Sequence, residues 1–147
     1  MTPKRSEIAR QFFEAIPHSQ ALGMQIVSIE DGKAEMTMPY DKRLIGDPVT
    51  GVIHGGAVSA LMDTCGGAAV VSHPEAPIGT ATIDLRIDYM RAATPGQSIV
   101  AKATCYHVTR SVAFVRAVAL DDDRERPVAT ATGAFTFIAQ QDAGSAK

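Results

Sequence analysis

The sequence predicts an α+β domain in which a curved antiparallel sheet wraps around one long central helix. Two short strand-like runs joined by a tight turn come first, one long helix follows, and four more strand-like runs complete the order. A single helix cannot supply the crossovers that a parallel sheet requires, so the strands are expected to pair antiparallel. The order then indicates a hairpin, a buried helix and a four-strand meander.

The N-terminal segment predicts a short amphipathic helix over about residues 3–16. Four large apolar side chains recur there at near-helical spacing: Ile8, Phe12, Phe13 and Ile16. Pro17 is expected to stop this helix. Residues 24–30 and 33–38 then have the pattern of two strands, and the Asp31-Gly32 dipeptide between them is typical of a two-residue hairpin turn.

Residues 55–72 are expected to form the long helix, which ends before Pro74. Apolar residues cover nearly its whole circumference: Ala57, Val58, Ala60, Leu61, Met62, Cys65, Ala68, Ala69, Val70 and Val71. A helix that is apolar on all sides is a buried helix. Gly66 and Gly67 lower its helix propensity, which indicates that another part of the chain approaches them closely.

Four strand-like runs follow the helix, over residues 80–89, 98–108, 111–120 and 127–138. In the first run, four apolar residues alternate with polar ones, which is the pattern of a half-buried strand: Ile83, Leu85, Ile87 and Tyr89. We therefore expect a single domain over residues 1–147. Its core spans about residues 22–138, and the tail at 140–147 is expected to be flexible.

Composition argues against several functional classes. The chain has 147 residues, of which 46% are hydrophobic and 20% charged, so a folded domain is expected. A formal net charge of −2, without a basic face, argues against nucleic-acid binding, and no apolar run approaches the roughly 20 residues of a membrane span. With no signal-peptide pattern and only two cysteines, Cys65 and Cys105, a cytoplasmic location is expected. The histidines show no metal-ligand spacing, so neither a metal nor another cofactor is expected.

The first candidate site is the start of the long helix, where His54, Gly55 and Gly56 follow one another. The first N–H groups of a helix lack intrahelical partners and carry partial positive charge, so this end can hold an anion or a developing oxyanion. The two glycines have no side chains that would keep a ligand from these donors. The alternative is that they only let the loop turn tightly into the helix.

Asp63 is the second candidate, because it is the only charged residue between Gly55 and Ser72. Burial of a lone carboxylate is costly unless the group is paired or takes part in chemistry. Small residues one turn away leave a groove beside it for a substrate or another backbone: Ser59, Ala60, Gly66 and Gly67. The alternative is a structural acid that accepts hydrogen bonds from backbone N–H groups.

The spacing of the two candidates constrains how they can act together. His54 and Asp63 are nine residues apart, which on a helix corresponds to roughly 13 Å along the axis and to opposite faces. One chain cannot bring both to the same reacting atom. If both act on one substrate, they come from two chains, and a two-fold dimer with its helices side by side would contain two equal sites.

Together these features resemble the hotdog-fold thioesterases, and most closely the phenylacetate-degradation type of acyl-CoA thioesterase. The resemblance is carried by His54-Gly55-Gly56, by Asp63 nine residues after the histidine, and by the strand pattern of residues 82–89. It covers about residues 22–138 and implies the hotdog fold. It further implies hydrolysis of an aryl or short to medium acyl-CoA by a homodimer that pairs again into a tetramer.

The resemblance also implies a role for each matching residue. Asp63 would be the general base that acts on water, or the nucleophile that attacks the thioester carbon. The Gly55 N–H would polarise the thioester carbonyl, with His54 as its usual companion. Thr82 would help to place the attacking water. Because Thr82 alternates with Ile83, this role requires a local twist or bulge in the strand.

Further positions match substrate contacts of the family. Gly56 belongs to the turn that would bind the thioester. Arg91 and Arg110 match positions at which relatives often carry basic groups, and both are expected to meet the phosphates of coenzyme A. The alternative for each arginine is a solvated surface position.

One position departs from the family pattern. Many relatives carry an asparagine six residues before the histidine, where this chain has Pro48, which lacks both a side-chain donor and an N–H. Asp47 and Thr50 are nearby, but neither offers the same amide. The departure leaves open a non-catalytic module that binds or senses acyl-CoA. A hotdog hydratase acting on enoyl thioesters is a further alternative, although residues 46–48 match its loop motif only faintly.

Overall fold

The computed structural model describes residues 4–76 and 79–137. The predicted tail at 140–147, residue 3 of the first predicted helix and residue 138 of the last predicted strand lie outside the described residues. Within them, the helices are α1 (Arg5–Glu14), α2 (Pro17–Ala21) and α3 (Gly55–Ser72), and Lys42–Leu44 forms a 3-10 turn. The strands are β1 (Gln25–Glu30), β2 (Lys33–Met38), β3 (Thr80–Tyr89), β4 (Ile99–Val108), β5 (Val112–Leu120) and β6 (Ala129–Phe137).

The first predicted helix is present as α1, and a second, short helix follows it. α1 ends at Glu14, before Pro17 as predicted, but Pro17 then occupies the first position of α2, which was not predicted. Proline suits a first helical position because its fixed φ is helical and its missing N–H would have no intrahelical partner there. The same residue therefore limits one helix and begins the next.

The predicted hairpin of β1 and β2 is confirmed together with its turn. Asp31 has a φ of 43° and Gly32 a φ of 85°, and Glu30 pairs with Lys33 across the turn. Positive φ at both central residues is required by a type I′ turn, whose twist matches that of the two strands.

The described strands form one antiparallel sheet in the order β1-β2-β4-β5-β6-β3. Antiparallel pairing is confirmed, but the predicted four-strand meander is wrong, because β3 pairs with β6 and β4 pairs with β2. α3 is 18 residues long and ends beside the first hairpin, where the Ser72 hydroxyl accepts a hydrogen bond from the Gly32 N–H at 3.0 Å. The chain that follows α3 leads to β3 at the other edge of the sheet, and β4 returns to the first hairpin.

α3 is the buried centre of the fold, as its sequence predicted. Leu61, Met62 and Cys65 are all 0% exposed, and burial raises the pKa of the Cys65 thiol to about 12. The close approach at the paired glycines is also confirmed, since a Cβ on Gly66 would lie 3.0 Å from Cζ of Phe135. A six-stranded sheet curved around this helix is the hotdog fold. Within the described ranges, no helix is both long and apolar enough to cross a membrane.

Candidate active site

His54 caps the N-terminus of α3 and determines which of its donors remain free. The His54 Nδ1 accepts a hydrogen bond from the Gly56 N–H at 2.8 Å. The Gly56 N–H is therefore used inside the chain, and the substrate contact expected at Gly56 stays a prediction. In the part of the chain that the structure describes, the Gly55 N–H has no hydrogen-bond partner. It remains the donor for an anion or oxyanion at this end of the helix.

Tyr89 holds the other side of the same turn. Its hydroxyl donates to the Gly55 carbonyl oxygen at 2.8 Å, and a Cβ on Gly55 would lie 3.3 Å from Cε1 of its ring. The peptide unit between Gly55 and Gly56 is thus held at its carbonyl by Tyr89 and at its N–H by His54. Sequence reasoning missed this role, because the alternation in residues 80–89 groups Tyr89 with the apolar side chains.

Pro48 lies at the exposed tip of the loop that precedes α3. Beside it, the Asp47 carboxylate accepts hydrogen bonds from the Thr50 hydroxyl at 2.7 Å and from the Val49 N–H at 3.0 Å. These bonds, that of Thr50 above all, hold the pKa of Asp47 below its ordinary value. Asp47 and Thr50 therefore bind each other, and within the chain neither takes the place of an asparagine amide.

Asp63 meets Thr82 where α3 passes the edge strand β3. The Thr82 hydroxyl donates to Oδ1 of Asp63 at 2.7 Å. The register of β3 against β6 shifts between Thr82 and Asp84, so the irregularity that the expected role of Thr82 requires is present. The burial predicted for Asp63 is wrong for the single chain, in which this residue is only half-buried. The carboxylate has one fixed partner and remains open to a cavity.

The two ends of the candidate site open into separate cavities of the chain. Asp63 and Thr82 line a cavity of about 300 Å³ between α1 and β3. His54 and Gly56 line a second cavity of about 290 Å³, and Gly55 lines a third of about 280 Å³. The free donor and the carboxylate therefore face different spaces, in keeping with the nine residues between His54 and Asp63.

Arg91 is engaged inside the chain. It forms a two-bond ion pair with Asp121, with both N–O distances at 2.7 Å, and donates three further bonds to the carbonyl oxygens of Ala92 and Arg126. All five donors of the guanidinium are thus used within the chain, and the expected contact of Arg91 with the phosphates of coenzyme A stays a prediction. Asp121 is 0% exposed, and its pKa is held well below the ordinary value, chiefly by Arg91.

Arg110 differs from Arg91 in its surroundings. It lies exposed in the turn between β4 and β5. Its guanidinium makes no hydrogen bond or ion pair with any of the residues at 4–76 and 79–137. The same residues include no group of three His, Cys, Asp or Glu side chains that could hold a metal ion.

Comparison with known proteins agrees with this arrangement. The family model described as the thioesterase superfamily matches residues 50–128, which include His54, Asp63 and Thr82. A solved structure of a protein from Pseudomonas aeruginosa is 40% identical, with a TM-score of 0.79 and coverage of 91% of this chain and 99% of that one. The structure of the Escherichia coli PaaI protein from the phenylacetic acid degradation operon is 24% identical, with a TM-score of 0.79 over 92% of this chain and 97% of that one.

A curated relative adds a named activity. The medium/long-chain acyl-CoA thioesterase YigI of Escherichia coli strain K12 is 24% identical over 87% of this chain and 90% of its own length. The family match, the likeness of fold to PaaI and the sheet around α3 agree with the resemblance carried by His54, Gly55 and Asp63. The chain therefore belongs to the thioesterase superfamily and is a thioester hydrolase of the hotdog fold.

Proposed function

We propose that this protein is an acyl-CoA thioesterase whose active site forms between two copies of the chain and needs no resident cofactor. The observation that carries the proposal is the Thr82–Asp63 hydrogen bond of 2.7 Å, which orients a lone carboxylate beside an open cavity. The free Gly55 N–H is the second group that hydrolysis requires, a donor for the oxyanion. The activity of YigI supports acyl-CoA as the substrate class.

In this mechanism the Asp63 carboxylate takes a proton from a water molecule while the water oxygen bonds to the thioester carbon. The carbonyl oxygen gains negative charge and accepts a hydrogen bond from the Gly55 N–H at the start of α3. The carbon–sulfur bond then breaks, and the coenzyme A thiolate leaves and takes up a proton. Attack by Asp63 itself, followed by hydrolysis of the resulting anhydride, uses the same groups and gives the same products.

The two-chain site is supported by an open sheet edge as well as by the separation of the two groups. β3 is an edge strand of ten residues, and Ile83, Tyr89 and Met90 on or beside it are 57%, 52% and 61% exposed. A long edge with exposed apolar side chains favours pairing with another strand. Two-fold pairing of two β3 strands would bring Gly55 of one protomer towards Asp63 of its partner. A homodimer of this kind, paired again into a tetramer, is part of the proposal.

Arg110 is the residue that we propose for contact with the phosphates of coenzyme A. Val112 pairs with Thr136 and Thr80 pairs with Phe137, so β5 and β3 begin at the same end of the sheet. Arg110 precedes β5, and it therefore lies at the end of the sheet that also carries Thr82. A guanidinium without a partner suits a phosphate, to which it can donate two parallel hydrogen bonds.

The function is tested by release of free thiol from a panel of aryl, short and medium acyl-CoAs, followed with a thiol-reactive dye. We expect hydrolysis of part of the panel, with a rate that a chelator leaves unchanged. If no substrate releases thiol, the hydrolase proposal fails. Binding of intact acyl-CoA would then favour the non-catalytic binding module, which Pro48 in place of the family's asparagine keeps as the second candidate.

A separate experiment tests whether the active site is shared between two chains. An Asp63→Asn chain is refolded together with a Gly55→Leu chain. Each variant alone should be inactive. The Asp63→Asn chain lacks the carboxylate, and in the Gly55→Leu chain the new side chain is crowded by the Tyr89 ring, which lies 3.3 Å from its Cβ. In a mixed dimer one of the two sites keeps both intact groups. Random pairing of equal amounts makes about half of the dimers mixed, so about a quarter of the wild-type activity should return. A fully active monomer, or mixed dimers without recovered activity, would contradict the shared site.

A further inference from the structure

We propose that Phe12 of α1 is the residue that sets the size of the acyl pocket, and that this pocket takes an apolar acyl group. The inference rests on the proposed function and adds the acyl class, which Asp63 and Gly55 alone leave open. The pocket is the cavity of about 300 Å³ beside Asp63 and Thr82. Its volume is at the lower end of the range found for small-molecule sites.

Phe12 is placed as a wall of this cavity and is not part of the core. Its side chain is 61% exposed, whereas that of Phe13 is 5% exposed. The two rings meet edge to face, with centroids 5.1 Å apart and planes at 83°. Phe13 therefore supports the Phe12 ring at the mouth of the cavity. Truncation of Phe12 should widen the cavity while leaving the core intact.

Apart from the His18 ring and the Asp63 carboxylate, the polar side chains that line the cavity are threonines, and their hydroxyls favour an apolar occupant. The hydroxyl of Thr64 donates to the Ala60 carbonyl at 2.8 Å, and that of Thr80 to the Thr136 carbonyl at 2.8 Å. The hydroxyl of Thr82 is bonded to Asp63. These three donors are already used, so a polar substituent on the acyl group would lose its water without gaining one of them as a partner.

Phe12 lies in a different segment of the sequence from the proposed catalytic residues. The family match covers residues 50–128, which include Gly55, Asp63 and Thr82 but exclude all of α1. The catalytic groups thus belong to the segment shared with the family, and the proposed size wall belongs to a segment outside it. A change at Phe12 should alter which acyl groups are hydrolysed and leave the chemical step in place.

Two substitutions with opposite effects test this inference. Phe12→Ala widens the pocket, whereas Gly67→Ala narrows it, because the new methyl group would lie 3.4 Å from Phe13 Cζ and 3.9 Å from Phe135 Cε1. We measure kcat/KM for butyryl-, octanoyl-, dodecanoyl- and phenylacetyl-CoA. Phe12→Ala should raise the dodecanoyl to butyryl ratio by about tenfold, and Gly67→Ala should lower it. Val27→Ala, at an apolar position of β1 that is 51% exposed, is the matched control and should leave the ratio unchanged.

The result separates this inference from the proposed function. If the wild type hydrolyses the panel and neither substitution moves the ratio, Phe12 is not the size wall and the inference is wrong. If the wild type hydrolyses nothing, the proposed function fails, and binding of the corresponding acyl-CoA thioethers, measured by calorimetry, then tests the pocket. A relative gain in affinity for the dodecanoyl thioether in Phe12→Ala, and a relative loss in Gly67→Ala, would support the pocket. Equal affinities in all variants would overturn it.

Discussion

The Thr82 hydroxyl lies 2.7 Å from Oδ1 of Asp63, where a bulge in the edge strand β3 turns it towards the central helix. The hydroxyl is the donor and the carboxylate the acceptor. The bond restricts the orientation of a side chain that stands among small residues. The carboxylate also lines a cavity of about 300 Å³. This pair provides the basis for the first two predictions.

Asp63→Asn should lower kcat by about a hundredfold or more, because an amide cannot accept the proton from water or attack a thioester carbon. Binding of acyl-CoA should be retained, since the size of the side chain is unchanged. Asp63 is half-buried and not buried, so we expect only a small change in Tm. Single-turnover hydrolysis and Tm are measured on one preparation. Early melting with normal hydrolysis by the folded fraction would mean that Asp63 is a structural acid.

Thr82→Val should lower kcat by about tenfold, because it keeps the shape of the side chain and removes the hydroxyl that orients Asp63. Thr82→Ser is the matched control, since it restores the donor on a smaller side chain and should recover most of the lost rate. The comparison uses kcat and KM separately. Unchanged kcat in Thr82→Val together with a loss in Thr82→Ser would show that the methyl group, and not the hydrogen bond, is what matters.

Tyr89→Phe removes the hydroxyl that donates to the Gly55 carbonyl at 2.8 Å and keeps the ring that packs beside Gly55. The peptide unit after Gly55 then loses one of its two anchors, the other being the His54 ring. We expect kcat to fall by several fold with KM nearly unchanged, as for a residue that positions the oxyanion donor without touching the substrate. Unaltered kcat would show that the His54 cap alone fixes the turn.

Local features were predicted well from the sequence. The bounds of α3 and β3 follow from apolar periodicity and from Pro74, all of which act within a few residues. The type I′ hairpin turn follows from Asp31-Gly32, whose backbone preferences are a property of the dipeptide itself. The hairpin and the buried helix are therefore determined by short-range physics.

Features that depend on distant parts of the chain were not predicted from the residues alone. β3 pairs with β6 at one edge of the sheet although α3 ends beside the first hairpin at the other edge, and no pattern within the strands encodes this pairing. The partner of Arg91 is Asp121, thirty residues away, and in the sequence Asp121 is only one of three acids in a turn. Thr82 was assigned to the site of Asp63 only by the family resemblance, and the hydrogen bond between these two residues, nineteen positions apart, was not predicted.

The adjacent glycines of α3 should respond in opposite directions to alanine. A Cβ on Gly66 would lie 3.0 Å from Cζ of Phe135, which is 1% exposed and cannot move aside, so overpacking should destabilise Gly66→Ala by about 1–3 kcal/mol. A Cβ on Gly67 meets its nearest atom at 3.4 Å, an ordinary contact, so Gly67→Ala should gain up to about 1 kcal/mol from helix propensity. Urea unfolding of both variants measures the two effects. The same sign for both would contradict the packing described around Phe135.

The ion pair of Arg91 and Asp121 should make part of the stability depend on pH. Asp121 is 0% exposed and Arg91 24% exposed, and the Asp121 carboxylate also accepts two bonds from Thr94. These partners lower the pKa of Asp121 from its ordinary value of 3.8. Below that value the unfolded chain binds a proton that the folded chain does not, so the stabilisation is complete at neutral pH and is lost as the pH falls below about 4.

Asp121→Asn should therefore destabilise the protein by about 3 kcal/mol at pH 7, because it leaves the guanidinium of Arg91 without its counter-ion in a largely buried place. Its free energy of unfolding should also fall less than that of the wild type between pH 5 and pH 3. Asp41→Asn is the control, since the pKa of Asp41 is likewise lowered by an arginine, Arg43, but that pair is solvent-exposed and should contribute little. Denaturant unfolding at several pH values compares the three proteins. Parallel pH profiles for wild type and Asp121→Asn would mean that this carboxylate does not carry the acid sensitivity of the fold.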